Sequence, residues 1–317
     1  MGLFEDQLGD LDDLLEKLGA PDAATRRVAL AELADLGDNS AVPSIVAALK
    51  DENAGVREAA ARALDAFDGA QAASALAGAL ADPVASVRRA VTEVLADKKD
   101  PAAAPLLIDL LTHPEASVRA AALSALVGLR DPAALTPALV ALHDGDSEVR
   151  RNAAEVLGWL RAPQATLGLV AASRDENPEV RRAAVAALAF AGDAAQAALV
   201  AAVTDPDWQV RESAASVLSK LASPESVQAL IAALGDDIWQ VRVKAAASLG
   251  KLRAPSAIPA LGAALDHPIS NLRKEATAAL GEISDIRALP FLAAHADDPD
   301  PDVRKLNRWA TAKVTAT

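Results

Sequence analysis

The stretch DPVASVRRAVTEVL, residues 82–95, decides the fold because close copies of it recur along the chain. Each copy carries an arginine, and successive arginines are 31 residues apart except for one interval of 30. The short interval falls near residues 191–195, in a predicted turn, where a deletion is tolerated. A fixed period of this length indicates ten repeats of one supersecondary unit. The ten arginines are Arg26, Arg57, Arg88, Arg119, Arg150, Arg181, Arg211, Arg242, Arg273 and Arg304.

Apolar residues recur at three positions counted from each arginine. The preceding residue is Val in eight repeats, the third following residue is Ala in eight, and the seventh is Leu in nine. These positions lie on one face of an α-helix, where the small Ala lets neighbouring helices approach closely. A second apolar segment, such as AIPALGAALD at 257–266, also has helical spacing. Each repeat is therefore predicted to hold two helices of roughly a dozen residues.

An aspartate stands six residues before the arginine in seven repeats, in the turn between the two predicted helices. There it can hold backbone N–H groups or pair with an arginine of the series. An arginine that recurs beside core positions in every repeat is architectural, and we expect it to satisfy carboxylates or carbonyls in the turns of adjacent repeats. This predicted structural ladder, called the Arg ladder below, consists of Arg57, Arg88, Arg119, Arg150, Arg181, Arg211, Arg242, Arg273 and Arg304.

The phased pattern D-P-x-x-x-V-R-x-x-A-A-x-x-L resembles the HEAT-like repeat of the phycocyanobilin lyases, and the resemblance covers essentially the whole chain. It implies an all-α fold, an α-solenoid superhelix of about ten stacked two-helix repeats and about twenty helices. We expect one domain over residues 1–317, with a capping first repeat over about 1–37 and a capping last repeat over about 285–317. The end repeats depart from the pattern at Ala20, Thr25, Asn307 and Thr311, and the first helix, Phe4 to Leu18, is acidic.

Composition limits the classes of function. The net charge of −13 excludes a chain-wide basic field for nucleic acid or an anionic membrane, and without Cys there are no disulfides or thiol sites. Residues 183–203 contain a single charge, Asp193, but the repeat explains this Ala-rich stretch better than a membrane span does. The acidic N-terminal segment is unlike a secretory signal. We expect a cytoplasmic protein, monomeric and not associated with membranes.

Catalytic patterns are missing from the sequence. His113 and His267 occupy the aspartate position of their repeats, while His143 and His295 fall near the ends of first helices, where a His can bond the last carbonyls. There is no HExxH motif, no Gly-x-Ser-x-Gly elbow and no Gly-rich phosphate loop. The di-iron deoxyhypusine hydroxylases of this repeat family use His-Glu pairs, and no His-Glu dipeptide occurs here. The sequence therefore predicts no enzyme activity, no metal and no cofactor.

The aromatic residues avoid the packed stripe of the second helix. Trp208 and Trp239 stand three residues before their arginines, Trp159 and Phe190 nine after, and Trp309 five after, all beside or on the opposite arc of a helical wheel. The resemblance implies that second helices line a concave surface. Trp and Arg are the residues that binding hot spots favour. The predicted partner-binding residues are Glu155, Trp159, Arg182, Phe190, Trp208, Gln209, Glu212, Trp239, Gln240 and Lys244.

The aromatic residues also allow a structural interpretation, in which each Trp covers a neighbouring turn and closes a thin Ala-rich core. Basic residues on the same arc are interrupted by acids, and Glu93 and Glu155 follow Arg89 and Arg151 at the spacing of intrahelical pairs. We therefore expect a non-enzymatic scaffold or assembly factor that binds a protein or peptide. The first alternative is a bilin-lyase-like chaperone that holds a tetrapyrrole or other planar cofactor, and the second is nucleic-acid binding on a mixed-charge face.

Overall fold

The structure, a computed structural model, describes residues 11–316, so the predicted start of the acidic first helix at Phe4 lies outside the described residues. Within the described range there is no strand. The helical residues 11–17 (α1) are followed by nineteen α-helices, and the predicted all-α fold of ten helix pairs is confirmed. The first five are α2 (Ala23–Leu36), α3 (Val42–Ala48), α4 (Ala54–Ala63), α5 (Ala70–Ala79) and α6 (Ala85–Lys98). The rest are α7 (Ala104–Asp109), α8 (Ala116–Leu126), α9 (Leu135–Ala141), α10 (Ser147–Leu160), α11 (Thr166–Ala172), α12 (Pro178–Ala187), α13 (Gln196–Ala202), α14 (Trp208–Leu218), α15 (Pro224–Ala233), α16 (Trp239–Lys251), α17 (Ile258–Ala264), α18 (Ser270–Ile283), α19 (Leu289–Ala294) and α20 (Pro301–Thr315).

Two compact units divide the chain, Met1–Leu160 (the N-terminal unit) and Arg161–Thr317 (the C-terminal unit). Each contains five helix pairs in the order of a solenoid. In both units the even-numbered second helices pack on one another in sequence, and from α3 onward each first helix packs on the second helix of its own repeat. That all ten repeats form one domain stays a prediction. None of the helices in residues 11–316 is long and apolar enough to cross a membrane.

The first helices are shorter than the dozen residues predicted. From α3 onward they run six to ten residues, against ten to fifteen for the second helices. Proline explains much of the difference, because Pro43, Pro105 and Pro259 each stand second in their helix. A helix that began one turn earlier would put the proline in its interior, where it blocks a backbone hydrogen bond. The preceding residues form a 3-10 turn instead, as at Asn39–Ala41.

The core consists of the three apolar positions of the second helix. All nine Leu residues seven positions after the arginine are no more than 3% exposed, and the Ala and Val positions are buried with them. Burying one such Leu contributes about 1.5–3 kcal/mol. The small residues set the helix spacing, since a Cβ added to Gly250 would lie 2.9 Å from the Cα of Ala279 on the next second helix. Helices α16 and α18 therefore pack almost backbone to backbone.

The Arg ladder joins each turn to the next one. Nη1 of Arg57 donates to the carbonyls of Asp51 and Glu52 at 2.9 and 3.2 Å, within its own turn. Its Nε and Nη2 donate to both carboxylate oxygens of Asp82, in the turn of the next repeat, at 2.6 and 3.0 Å. Such planar bidentate pairing is specific to arginine. The same pairing is formed by Arg26 with Asp51, Arg119 with Asp144, Arg181 with Asp205, Arg211 with Asp236 and Arg273 with Asp298.

Each aspartate that pairs with the Arg ladder also accepts a third hydrogen bond, from the backbone N–H two residues further along the chain. At Asp51 this donor is Asn53, which itself caps α4. Burial raises the pKa of Asp51, Asp82, Asp144 and Asp236, but the hydrogen bonds from arginine and backbone outweigh burial, so each pKa lies below its ordinary value. The aspartate is thus bound as an ion, and the helix cap is a different residue.

The ladder changes where the aspartate is replaced. His267 takes the slot opposite Arg242: its Nδ1 accepts the N–H of Ile269 at 3.1 Å, and its Nε2 lies 2.8 Å from Nη1 of Arg242. Opposite Arg88 stands His113, and Nη2 of Arg88 instead approaches Oε1 of Glu115 at 3.2 Å. In the last repeat Arg304 donates to the carbonyls of its own turn. Histidine therefore imitates the acceptor of aspartate without its charge.

Candidate functional site

The ten predicted binding residues lie on the second helices, at two different heights. Trp208 and Trp239 are the first residues of α14 and α16. Trp159 lies in the last turn of α10, and Phe190 ends the 3-10 turn Leu188–Phe190 that extends α12. Twelve residues of register separate the two pairs, which is about 18 Å along a helix. The structure therefore places the aromatics at opposite ends of the second helices and not in one row.

Most of these rings are open to solvent. Phe190 is 51% exposed, Trp159 44% and Trp239 37%, whereas Trp208 is half-buried at its helix entry. The half-buried Gln209 and Gln240 follow the two tryptophans. The fully buried core below these rings consists of the Leu, Val and Ala positions of the second helices.

The middle of this surface carries charges that neutralise one another. Arg182 contacts Glu179 of its own helix at 2.6 Å, and Glu155 contacts Arg151 at 3.2 Å. Between helices α14 and α16, Nζ of Lys244 lies 3.9 Å from Oε1 of Glu212. This side of the second helices, which carries two of the predicted residues in the N-terminal unit and eight in the C-terminal unit, is called the open face below. Acidic and basic side chains are therefore balanced on the open face.

One ion pair that was predicted within a second helix is wrong. Glu93 does not pair with Arg89 within its helix; its Oε2 meets Nη1 of Arg62 on the preceding second helix at 3.3 Å. Arg62 also reaches Glu58 of its own helix at 3.3 Å. The close packing of α4 on α6 brings a cation of the neighbouring helix within reach, which the sequence of a single helix does not reveal.

Basic side chains lie over the exposed rings at the C-terminal ends of the second helices. Cζ of Arg130 is 5.2 Å from the centroid of Trp159. The ring of Phe190 has two cations over it, Cζ of Arg161 at 3.9 Å and Nζ of Lys220 at 4.4 Å. All three distances are within the range of cation–π attraction. The rings at this end are thus combined with positive charge.

Sequence reasoning missed a series of strained basic residues at the same end. Lys99, Arg130, Arg161 and Arg253 have φ between 47° and 55°, the left-handed region that favours glycine. All four stand eleven residues after a ladder arginine, where other repeats have Gly37 or Gly192, and the register could have shown this. Ser284, with φ 55°, stands at the same position of a further repeat, so this helix end takes residues with a Cβ of more than one kind.

Trp309 differs from the other tryptophans. Its ring lies so close to Gly281 of α18 that any side chain at that glycine would collide with it. Nζ of Lys313 lies 4.8 Å from the ring centroid. Although 40% exposed, Trp309 packs on the preceding second helix, so part of its ring makes a structural contact.

The histidines hold turns and helix ends. Nδ1 of His295 bonds the carbonyl of Phe291 at 2.8 Å, as predicted for a His at a helix end, and its Nε2 lies 3.0 Å from Asp266. Burial lowers the pKa of His295, but these two bonds outweigh burial and raise it above the ordinary value. Among residues 11–316 no group of three His, Asp or Glu side chains is arranged to hold a metal ion.

Comparison with known families agrees with the repeat geometry. The family described as HEAT repeats matches residues 11–96, 79–158, 104–172, 166–247 and 231–311. The chain is a HEAT repeat protein. This match does not distinguish the phycocyanobilin lyase type of HEAT repeat from others, so that subtype stays a prediction. No curated protein matches the chain.

Solved structures show the same fold. This HEAT repeat chain is similar to an engineered protein at 22% identity and TM-score 0.52, over 96% of this chain and 99% of that one. It is similar to Kap95p, studied with RanGDP, at 15% identity and TM-score 0.69, over 96% of this chain and 52% of that one. A Kap121p mutant matches at 16% identity and TM-score 0.58, over 96% and 41%. The chain spans about half the length of Kap95p, and the likeness shows the fold alone.

Proposed function

We propose that this HEAT repeat protein is a non-enzymatic scaffold that binds a protein or peptide partner on the open face of its second helices. The observation that carries the proposal is the exposure of Trp159, Phe190 and Trp239 on helices whose core is already complete. Large rings left in solvent are costly to a free monomer and are typical anchors of binding interfaces. A partner that covers them removes that cost.

The rings stand on helices with buried core positions and paired turns, which favours binding. The anchors stand on helices whose Leu and Ala positions are buried and whose turns are joined by bidentate Arg–Asp pairs. Side chains presented from such a framework lose little conformational freedom on binding, so more of the contact energy contributes to affinity. Kap95p, a similar fold, is described by its binding to RanGDP, which supports partner binding as a use of this architecture.

Two other functions stay as alternatives from the sequence. A bilin-lyase-like chaperone would need an enclosed aromatic pocket with convergent arginines. Phe190 does have Arg161 and Lys220 over its ring, but the ring is half in solvent. Nucleic-acid binding would need a basic open face, and the paired charges of Arg182, Glu212 and Lys244 argue for a protein ligand instead.

The proposal is tested with the double variant Trp208→Ala and Trp239→Ala. A partner is first identified by affinity purification and then titrated, as purified protein, against each variant by calorimetry. We expect binding to weaken at least about tenfold, a loss of about 1.4 kcal/mol, because hot-spot rings are removed. The single variant Trp239→Ala, at the more exposed ring, is expected to melt within about 3 °C of the wild type.

The matched control is Leu167→Ala, which removes an apolar side chain that is 84% exposed on first helix α11 of the same unit. Its binding should equal that of the wild type. Should the double variant melt many degrees lower while its folded fraction still binds normally, both tryptophans are structural and the open face is not the binding surface.

A further inference from the structure

The C-terminal ends of the second helices carry cations that have no acidic partner. Arg161, Lys220, Lys251 and Arg253 are all exposed in the C-terminal unit. None of them forms an ion pair with any residue from 11 to 316. The chain holds 44 acids against 31 bases, so a basic side chain usually finds a carboxylate, as the Arg ladder does. These four residues, together with Phe190, are called the basic edge.

Among the acids at these helix ends, Glu282 stands nine residues after Arg273 and pairs with Lys313 at 2.9 Å. Glu225 accepts a hydrogen bond from Gln196 at 3.1 Å, and Asp193 is exposed in the turn after α12. Burial raises the pKa of Glu275, and Lys251 and Lys244 oppose the rise from beyond ion-pair distance. From Arg161 to Arg253, positions nine to eleven after each ladder arginine hold no carboxylate. The edge is therefore locally positive within an acidic protein.

Phe190 fixes two of these cations in place. Arg161 comes from the turn before α11 and Lys220 from the turn after α14, so the cations reach the ring from the preceding and the following repeat. A cation held over a ring keeps its charge available to a ligand, because the ring attracts it without neutralising it. Holding the side chains in advance also lowers the entropy that binding costs.

The backbone at Arg161 and Arg253 indicates that their side chains are needed. Their φ values are 51° and 47°, and the equivalent position after α12 is Gly192 with φ 58°. Glycine adopts this conformation without strain, whereas a residue with a Cβ does not. Arg161 gains its contact with Phe190 in this conformation, whereas the guanidinium of Arg253 forms no hydrogen bond or ion pair within residues 11–316. Strain that no such contact offsets is a sign of function. Neither guanidinium donates to a helix-terminal carbonyl within residues 11–316.

A cavity of about 330 Å³ adjoins the edge at Arg253. Its walls include Ser223, Val227, Gln228, Pro255 and Ser256, and no carboxylate lines it. One guanidinium beside hydroxyl and amide groups, with apolar walls, has the chemistry to hold a carboxylate side chain and the methylenes that carry it.

We propose that the basic edge is the docking surface for an acidic segment of a protein partner, with one carboxylate of that segment in the cavity at Arg253. This rests on the proposed function, because it specifies the charge of the ligand that the scaffold binds. The complementarity of charge favours a peptide carboxylate. Phosphates of nucleic acid would also meet the cations, but the cations of the neighbouring open face are already paired, Arg182 with Glu179 and Lys244 with Glu212, so no basic track continues from the edge for a polyanion to follow.

The test selects twelve-residue peptides from a random display library on the full-length chain and measures each selected peptide by fluorescence anisotropy. Selected peptides should be rich in Asp and Glu. The double variant Arg161→Gly and Arg253→Gly should bind them at least about tenfold more weakly, since two charge-assisted contacts are lost. It should melt within about 3 °C of the wild type, because glycine relieves the strained backbone at both positions. The matched control Lys99→Gly makes the same backbone change outside the basic edge and should leave binding unchanged.

Each other outcome has a defined meaning. Selected peptides that are neutral or basic and lose binding in Trp239→Ala overturn the acidic docking surface while the proposed function stands. Acidic peptides that bind the glycine double variant as well as the wild type also overturn it. A twelve-nucleotide single strand that binds the basic edge more tightly than every selected peptide assigns the edge to phosphates. A library that yields no binding peptide counts against both proposals.

Discussion

The two ends of a second helix use the same residue type in opposite ways. At the N-terminal end Arg181 is nearly buried, donates to the carbonyls of its own turn and forms a bidentate pair with Asp205. At the C-terminal end Arg161 is exposed and lies over Phe190 without a carboxylate. The difference shows that position within the repeat, and the partner that the next repeat supplies, decide whether an arginine supports the fold or remains available to a ligand.

Desolvation explains why the two ends are not interchangeable. The side chain of Asp298 is only 3% exposed, and without Arg273 its charge would be buried unpaired. The hydrogen bonds from Arg273 are the largest influence on the pKa of Asp298 and hold it below its ordinary value. A cation of the basic edge is solvated already, so its removal leaves no unpaired group behind.

The largest loss of stability is expected for Arg273→Ala, which removes a buried arginine of the Arg ladder. We expect the free energy of unfolding to fall by about 3 kcal/mol, because the buried carboxylate of Asp298 loses both bidentate bonds. The control is Arg304→Ala, which removes only donors to carbonyls of its own turn and should cost clearly less. Urea unfolding followed by circular dichroism measures both. Equal losses in the two variants would show that the carboxylate pairing does not stabilise the fold.

A smaller effect on stability is expected at His267, which stands opposite Arg242 in the place of an aspartate. Burial, and then Arg242 and Arg273, lower the pKa of His267 below 6.5. The unfolded chain therefore binds this proton more readily, so the stability that His267 contributes is present above pH about 6.5 and is lost as the pH falls through the folded pKa. His267→Asp replaces a neutral acceptor with a charged one, and we expect it to stabilise the protein at pH 7 by about 1 kcal/mol.

The difference in stability between His267→Asp and the wild type should therefore widen as the pH falls from 7 to 5. Thermal melts across that range measure it, and comparison of the two proteins cancels the opposite contribution of His295, whose pKa is raised. His143→Gln removes an exposed histidine outside the ladder and serves as the control. A difference that is constant with pH would mean that His267 does not titrate against Arg242.

The smallest effect is expected at the basic edge. Lys251→Gln removes an exposed, unpaired cation and should change the free energy of unfolding by less than about 0.5 kcal/mol. Lys274→Gln is the contrasting variant, because Nζ of Lys274 lies 3.1 Å from both Asp300 and Asp302. The urea midpoint should move for Lys274→Gln and stay for Lys251→Gln. A larger shift of the urea midpoint for Lys251→Gln would mean that this cation of the basic edge stabilises the fold.

The repeat register allowed the fold and the ladder to be predicted closely. A 31-residue period puts each arginine beside the aspartate of the next turn, and this is where Arg57 meets Asp82. A helical wheel gives only the angle of a side chain around the axis and not its height along it. A wheel therefore places Trp159 and Trp239 in one predicted binding set, although they stand at opposite ends of their helices. The left-handed backbone at Arg253 falls at the register position of Gly37 and Gly192, a signal that the apolar positions of the repeat do not carry.

The direction of the Arg–Asp pairing has a consequence for how such a chain can grow. Every standard repeat presents a guanidinium fork toward the following copy and offers a carboxylate to the preceding one. Tandem duplication of one whole copy therefore creates a new junction of the same kind as those on either side of it, with no compensating change elsewhere. A duplication of part of a copy would strand a fork or a carboxylate. The pairing makes one whole repeat, of 31 residues or of 30 as between Arg181 and Arg211, the segment that can be duplicated without leaving a charge unpaired.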